Sequence, residues 1–373
     1  MIMMIRRSIQ VLAALSAVLV LSSGCTSQDR NVVRIGAAGP MTGDQSKMGI
    51  DLRNGTELAV TEWNEKGGVL GKKIELLAGD DQADPKQAVS IANKFVNQKV
   101  TAVVGHWNSN CSINASSYYN AAHIVAISPA STNPRLTQQG FKTIFRVCGT
   151  DDQQGGVAAE FVIKNLRPKR VAVLHDKTTY GQGLADFFKK AVEGKVQVVY
   201  YDGIQTKDPD YKAVLTAINE TKPDVYFFGG VYPEAGRLVR QAKEVGMIIP
   251  MITGDGVYDP TFISIAGKAA EGTYVTFGKD PSGLPTNKAF NDRYRGKYGE
   301  PGPYSIYAYD AANIILAAIK ATGSTDGLKL AEYISKGTFP GAFGEISFDK
   351  NGDVTRAPYV VWLVRNGAFV ETK

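Results

Sequence analysis

The chain has 373 residues, 44% hydrophobic and 21% charged, with 42 Lys and Arg against 36 Asp and Glu for a formal net charge of +6. That length suits two domains, and the ordinary apolar content lets each bury its own core. The mild, dispersed positive charge excludes a basic stripe of the kind that grips nucleic acid, and cysteine usage is sparse, at three residues.

Arg6 and Arg7 form a short basic region, Ile9 to Leu21 is apolar apart from Gln10 and Ser16, and Ser22-Ser23-Gly24-Cys25 follows. The pattern predicts a signal peptide over 1–24, too short to span a bilayer and ending in small residues. Its removal takes Arg6 and Arg7 away and lowers the net charge to about +4. A Cys directly after Ser-Ser-Gly resembles the bacterial lipobox, which implies cleavage before Cys25 and a lipid on that residue. Ser22 stands where the lipobox favours a large apolar residue, with Leu21 one place further out. Residues 25–30 read as a polar tether, and no later run is long and apolar enough to cross a membrane.

From residue 31 strands and helices alternate. Asn31 to Ala38 predicts a strand, Gly39-Pro40-Met41-Thr42-Gly43 a turn, and Met48 to Asn64 a helix stopped by Gly67-Gly68-Val69-Leu70-Gly71. Lys73 to Ala78 is a strand, Asp84-Pro85 an N-cap with proline behind it, and Ala88 to Val96 a helix. Thr101 to Val104 is a short β-branched strand ending in Gly105 and a polar loop with Ser109. Ile124 to Ile127 is another, ending in Ser128-Pro129-Ala130-Ser131-Thr132. Both loops follow strand C-termini, the edge of an open α/β sheet where ligands bind. Ser109 is placed just before a helix start, which favours a small carboxylate. The same hydroxyl residues also fit ordinary caps and turns.

Thr143 to Val147 is a strand, and a helix runs from the Gly149–Gly155 stretch to Leu166. The alternation then restarts: strands over 170–174, 196–201, 224–228, 248–253 and 273–277, and helices over 179–193, 211–219, 233–245 and 260–265. Helices over 287–298, 305–321 and 328–335 follow, then strands over 345–348, 358–364 and 369–370. Strands alternating with helices imply parallel sheets covered on both faces. There are too many such units for one sheet, so the fold class is α/β in two lobes, each with its own sheet. Asp349-Lys350-Asn351-Gly352-Asp353 is a turn; it lacks the closing glutamate and flanking helices of a calcium loop.

No P-loop lysine motif, Gly-x-Ser-x-Gly elbow or His-Glu-x-x-His occurs. The three histidines, His106, His123 and His175, are not spaced with cysteines or carboxylates for a metal. Gly36-Ala37-Ala38-Gly39 is not a dinucleotide fingerprint. No cofactor is called for, and no residue is needed as a nucleophile. His175-Asp176-Lys177 reads as a loop that orients other side chains. Cys111 and Cys148 fit either a disulfide or two buried thiols.

Several motifs in this order carry a resemblance. They are Gly-Pro-Met-Thr-Gly after the first strand, Asp80-Asp81-Gln82-Ala83-Asp84-Pro85, Gly105-His106, Ser128-Pro129-Ala130-Ser131-Thr132, His175 through Gly183, and Pro233-Glu234-Ala235-Gly236. Across essentially all of the mature chain the sequence resembles the leucine/isoleucine/valine-binding proteins of branched-chain amino acid ABC transporters. The resemblance implies a type I periplasmic-binding-protein fold, with two α/β lobes joined by three crossovers and ligand in the cleft between them. It implies lobe 1 from 31–150 and 279–356, and lobe 2 from 151–278 and 357–373. It places Ser109 and Thr132, with Ser131 beside them, on a ligand α-carboxylate. It places the Ala130 carbonyl and Asp255 on the α-ammonium, and Tyr180 across the cleft. Trp107, Asn108, Met48, Val231 and Tyr304 fall on the side-chain pocket. Trp107 stands where a smaller apolar residue is frequent, Asn108 and Ala83 replace a cysteine pair, Met48 takes a place often held by tyrosine, and Val231 replaces a tyrosine. An aliphatic or aromatic amino acid is the ligand expected.

The implied protein is a monomeric, lipid-anchored solute receptor outside a bacterial membrane, periplasmic or on the cell surface. It hands its ligand to a permease, with no nucleic acid and no catalysis. The competing class is a sensor or regulator of the same fold that binds an amide or other small carboxylate. The signal peptide and Cys25 favour the receptor.

Overall fold

Alternating strands and helices build two sheets in the computed structural model, which describes residues 31–280 and 283–372. The expected signal peptide, the tether and Cys25 lie outside the described residues. In chain order the first half holds β1 (Val32–Gly39), α1 (Ser46–Glu65), β2 (Lys73–Asp80), α2 (Pro85–Asn97), β3 (Ala102–Gly105), α3 (Ser109–Ala121), β4 (Val125–Ser128) and β5 (Ile144–Arg146). There follow α4 (Asp151–Phe161), β6 (Arg170–His175), α5 (Thr179–Val192), β7 (Gln197–Gly203), α6 (Lys212–Glu220), β8 (Val225–Gly229), α7 (Tyr232–Glu244), β9 (Met251–Thr253), α8 (Pro260–Ala266) and β10 (Tyr274–Gly278). The chain ends with α9 (Pro285–Tyr298), α10 (Ser305–Thr322), α11 (Gly327–Lys336), β11 (Thr338–Gly341), β12 (Gly344–Ser347), β13 (Tyr359–Arg365) and β14 (Ala368–Glu371).

The first sheet runs β2-β1-β3-β4-β5, all parallel. The second runs β14-β13-β10-β9-β8-β6-β7, parallel except where β13 and β14 turn back. Its parallel part repeats the order of the first sheet, so each has a point where the winding reverses, between β1 and β3 and between β6 and β8. Helices cover both faces, which is why β3, β4 and β8 are buried at every position. Against the first sheet Phe95 of α2 is wholly buried, and a Cβ at Gly36 would meet its ring at 2.7 Å.

Helices start where their caps dictate. Asp84 accepts from the N–H groups of Lys86 (2.7 Å) and Gln87 (3.0 Å), with Pro85 opening α2. Thr150 and Gln153 form a capping box on α4. The chain passes between the two layers three times, after β5, after β10 and after β12. Helix α10 packs along α1, returning the segment after β10 to the first sheet, while β13 joins the second.

Some expectations shift. Ser109 is the first residue of α3 rather than the one before it, with Asn108 as cap. The strand expected from Ile248 begins only at Met251, and Ile248 is 81% exposed. Strand β11 was not expected, because Pro340 and Gly341 read as loop; paired only with β12, it tolerates a proline. Cys111 and Cys148 are free and buried, which decides between the two alternatives.

Arg146, at the end of β5, is fully buried. It donates to the carbonyls of Ser131 (2.8 Å) and Asn133 (2.9 Å), to the Thr137 hydroxyl (2.6 Å), and to Asp353 (2.5 Å). The acidic turn over 349–353 is thereby used inside the protein, where Asp353 is the counter-charge that fastens the loop after β4. Asp353→Ala leaves a buried guanidinium without its carboxylate. The expected loss is roughly 2–4 kcal/mol, below the fully buried range because Asp353 keeps some exposure. Urea unfolding with an unchanged m-value checks it.

Candidate functional site

The loops at the carboxyl ends of the strands of both sheets face each other, and a cavity of about 30 Å³ lies between them. Gln45 reaches it from the loop after β1, Trp107, Asn108, Ser109 and Asn110 from the loop after β3 and the start of α3, and Ala130 from the loop after β4. From the other side come Asp176, Thr178 and Tyr180 after β6, Thr206 after β7, Val231 after β8, and Asp255 and Gly256 after β9. Tyr304, the cap of α10, closes one wall. Both winding reversals contribute, as expected for open α/β sheets.

One end of the cavity favours negative charge. Asn108 makes no side-chain capping bond to α3, so the first N–H groups of that helix remain open to an anion. The Ser109 hydroxyl lies at that start, 3.3 Å from the Asn133 N–H, which it accepts.

The other end is acidic. Asp255 is 3% exposed; its Oδ1 accepts from the Tyr180 hydroxyl (2.8 Å) and its Oδ2 from the Tyr304 hydroxyl (2.6 Å). Tyr180 in turn accepts from the Gly256 N–H at 3.0 Å. Burial raises the Asp255 carboxyl above its usual range, and the two tyrosines and Gln154 oppose that shift. Asp151, fully buried nearby, is pushed well up by burial and further by the Asp255 charge. Among the described residues no lysine or arginine lines this cavity, so a cation is the component its lining lacks. An anion-binding helix start opposite a buried carboxylate is complementary to a small zwitterion.

The two binding loops are tied from beneath. The Ser128 hydroxyl donates to the His106 carbonyl (2.8 Å) and accepts from the Ser131 N–H (2.9 Å). The Ser131 hydroxyl donates to the Trp107 carbonyl (3.0 Å) and lies 2.6 Å from that of Ser112. His106, fully buried, sits between Asp81 (Nδ1 to Oδ2, 2.6 Å) and the Tyr119 hydroxyl (Nε2, 3.0 Å). The two sides also meet directly: Asn133 Nδ2 donates to the Thr179 carbonyl (2.9 Å), and the Tyr232 hydroxyl to the Asp44 carbonyl (2.6 Å).

Eight of the eleven expected ligand residues line the cavity: Trp107, Asn108, Ser109, Ala130, Tyr180, Val231, Asp255 and Tyr304. Three do not. Met48 is buried in the core on α1, Ser131 ties the loops, and Thr132 is fully buried with its carbonyl accepting from the Asp151 N–H (2.9 Å). Gln45, Asn110, Asp176, Thr178, Thr206 and Gly256 also line the cavity and were not expected there, although each sits in a loop or helix start that follows a strand C-terminus, which is the available signal. A larger cavity of about 460 Å³ lies behind Asp255 and Tyr304, among the crossover segments. The helix start and the loop serines do not reach it, so the smaller cavity is the candidate site.

Asp176 gives this wall a pH signature. Its Oδ1 accepts from the N–H (2.9 Å) and hydroxyl (2.6 Å) of Thr178, yet burial raises its carboxyl from 3.8 to about 7. The folded state therefore holds a proton that the unfolded state releases, so this group's contribution is present at low pH and is lost as pH rises from about 4 to about 7. Asp176→Asn keeps an acceptor for Thr178 and does not ionise. Its stability relative to wild type, measured by denaturant melts without ligand, should increase across that window and level off above it. A pH-independent difference would contradict the assignment.

Residues 32–368 match the family model described as periplasmic binding protein. The chain is 40% identical over 338 residues to Leu/Ile/Val-binding protein homolog 1 of Brucella suis, covering 90% of this chain and 91% of that one. A leucine binding protein of Thermotoga maritima has a TM-score of 0.85 at 35% identity, over 91% of this chain and 98% of that chain. The branched-chain amino acid transporter substrate binding protein of Streptococcus pneumoniae, solved in complex with isoleucine, has a TM-score of 0.84 at 29% identity, over 91% and 100% of the two chains. A zwitterion-shaped cleft between two parallel sheets and these matches lead to one conclusion: the chain belongs to the leucine/isoleucine/valine-binding protein family, solute-binding proteins with the type I periplasmic-binding-protein fold.

Proposed function

We propose that this protein binds an amino acid between its lobes and delivers it to the permease of an ABC importer. The observation that supports it most directly is a buried carboxylate, Asp255, facing an uncapped helix start across a cavity without cationic side chains. Ser109 and the first N–H groups of α3 hold the α-carboxylate. Asp255 and the Ala130 carbonyl hold the α-ammonium, with Tyr180 reaching over from the second lobe. The Brucella and Streptococcus relatives are named for branched-chain amino acids, and these suggest the class of ligand. The protein acts by binding alone; its chemistry is capture and release. The lobes, 31–150 with 279–356 and 151–278 with 357–373, close as bodies about the crossovers. Cys25 carries a lipid that holds the receptor, as a monomer, on the outer side of a bacterial membrane.

The clamp is tested by calorimetry with the tightest ligand from a thermal-shift screen of amino acids. Asp255→Ala leaves the ammonium partly unpaired, and the expected loss is roughly 2–5 kcal/mol, or about thirty-fold to several thousand-fold in affinity. Ser109→Ala costs less, about 1–3 kcal/mol, because its main-chain donor survives. An Asp255→Ala protein that folds and binds within twofold of wild type would mean that the ligand's cation is not held there.

The anchor is tested by intact mass. Protein extracted from membranes should begin at Cys25 and carry a diacyl or triacyl addition. A freely soluble mature protein with unmodified Cys25 would rule the anchor out.

A further inference from the structure

The cavity of about 460 Å³ behind Asp255 and Tyr304 has no part in the proposed capture of an amino acid. All three passages of the chain between the two layers line it. Val147 to Gly149 follow β5, Lys279 and Asp280 follow β10, and Val354 with Arg356 to Pro358 lead into β13. Its size falls in the range of pockets that bury a small organic molecule. It shares only Asp255 and Tyr304 with the cleft cavity, so it is a separate space.

Five aromatic rings line this space: Phe277, Tyr304, Tyr307, Phe343 and Tyr359. Phe277 meets the Tyr304 ring at 5.6 Å and the Tyr307 ring at 6.2 Å, both edge-on, and Tyr307 stacks on Phe343 at 4.3 Å. Four of the five rings therefore form one continuous wall. Such a wall takes an apolar or aromatic body, and ring faces attract a cation. The charges agree with that. Among the described residues four carboxylates line the cavity, Asp255, Asp280, Asp310 and Glu345, against two cations, Lys279 and Arg356. Both cations are exposed, whereas Asp255 and Asp310 are buried. Asp310 spends both oxygens on the Ala342 N–H (2.9 Å each), a contact that supplies no counter-charge. Burial raises its carboxyl from 3.8 to about 7, opposed only by backbone hydrogen bonds. An anion would be repelled by these acids, and a neutral guest would leave their burial unrepaid. An organic cation fills the aromatic wall and also faces the buried carboxylates.

We infer that the cavity among the crossover segments is a second binding site, distinct from the amino-acid cleft, for an organic cation that carries an aromatic or apolar body. Tyr307 and Phe343 receive the body, and Asp310 receives the charge. The site does not depend on what the cleft binds. Its occupant lies against the three segments that join the lobes, and against the back of Tyr304.

Benzyltrimethylammonium is the probe, with benzyl alcohol and phenylacetate as its neutral and anionic counterparts. Mature protein, unfolded and refolded to strip co-purified solute, is titrated with each by calorimetry. The cation should bind at a single site, at least about ten-fold more tightly than benzyl alcohol, and phenylacetate should bind more weakly still. Asp310→Asn keeps an acceptor for the Ala342 N–H and removes the charge, while Phe343→Leu keeps bulk and removes the ring. Each should weaken the cation about three-fold or more. Neither residue lines the cleft, so these losses place the probe in this cavity. If one variant does not fold, the other carries the test. Unchanged affinity in a folded variant would put the probe elsewhere and overturn the site. Benzyl alcohol or phenylacetate binding as tightly as the cation would overturn the class of ligand. Absence of cation binding by protein with a normal melt would overturn the inference and leave the amino-acid reading standing.

Discussion

A carboxylate held out of water is the constraint around which the cleft is arranged. Asp255 is 3% exposed at a point where two lobes meet, and it does not survive there alone. Each of its oxygens takes a tyrosine hydroxyl, Tyr180 from α5 on the second lobe and Tyr304 from the cap of α10, which packs with the first. The two bonds favour the ionised carboxylate against the effect of burial and supply no counter-charge. Tyrosine suits that task because it donates without supplying a cation of its own. The Tyr304 bond also spans the cleft, so both oxygens of the carboxylate are bonded only while the lobes are together.

The support beneath the loops follows from the same requirement. A helix start binds an anion well only if its amides are fixed. Here the start of α3 is held by serine hydroxyls gathered on the His106 and Trp107 carbonyls, and His106 is held by Asp81 and Tyr119. Arg146 fastens the neighbouring loop through the Ser131 and Asn133 carbonyls. These groups touch no ligand in the proposed geometry; they set where the ligand's carboxylate can sit. Ser131, expected on the ligand, belongs to this framework, because its hydroxyl is already spent on the Trp107 carbonyl.

Much of this was legible in the sequence, and the reasons differ by level. Strands such as β3 and β8 announce themselves as short apolar runs because both their faces are covered. Asp84-Pro85 marks a helix start by chemistry that needs no tertiary context. The site loops could be located because they follow strands, and Asp255 because the family resemblance places an acidic residue there. Burial and partner choice could not be read that way. Met48, in the first turn of α1, is buried in the core, while Gln45, the residue just before that helix, lines the cavity. That distinction depends on the rotation of α1 against α10. Thr206 lies beyond β7 with no motif about it, and only the approach of the second lobe brings it to the site. β11 escaped notice because Pro340 and its glycine neighbour describe a loop locally, whereas pairing with β12 decides the outcome.

Charge ties these levels together. Asp151, Asp176 and Asp255 are all held above their ordinary carboxyl range by burial, and each ionised form costs the empty protein stability. Natural cores avoid such groups unless something repays the cost. For Asp176 and Asp255, which line the cavity, no lysine or arginine among the described lining residues offsets the cost. A bound ammonium would do so. Ligand affinity and folded-state stability then become two readings of the same unpaired charge. The acids whose ionised forms weaken the empty protein are the ones that a bound ammonium would stabilise.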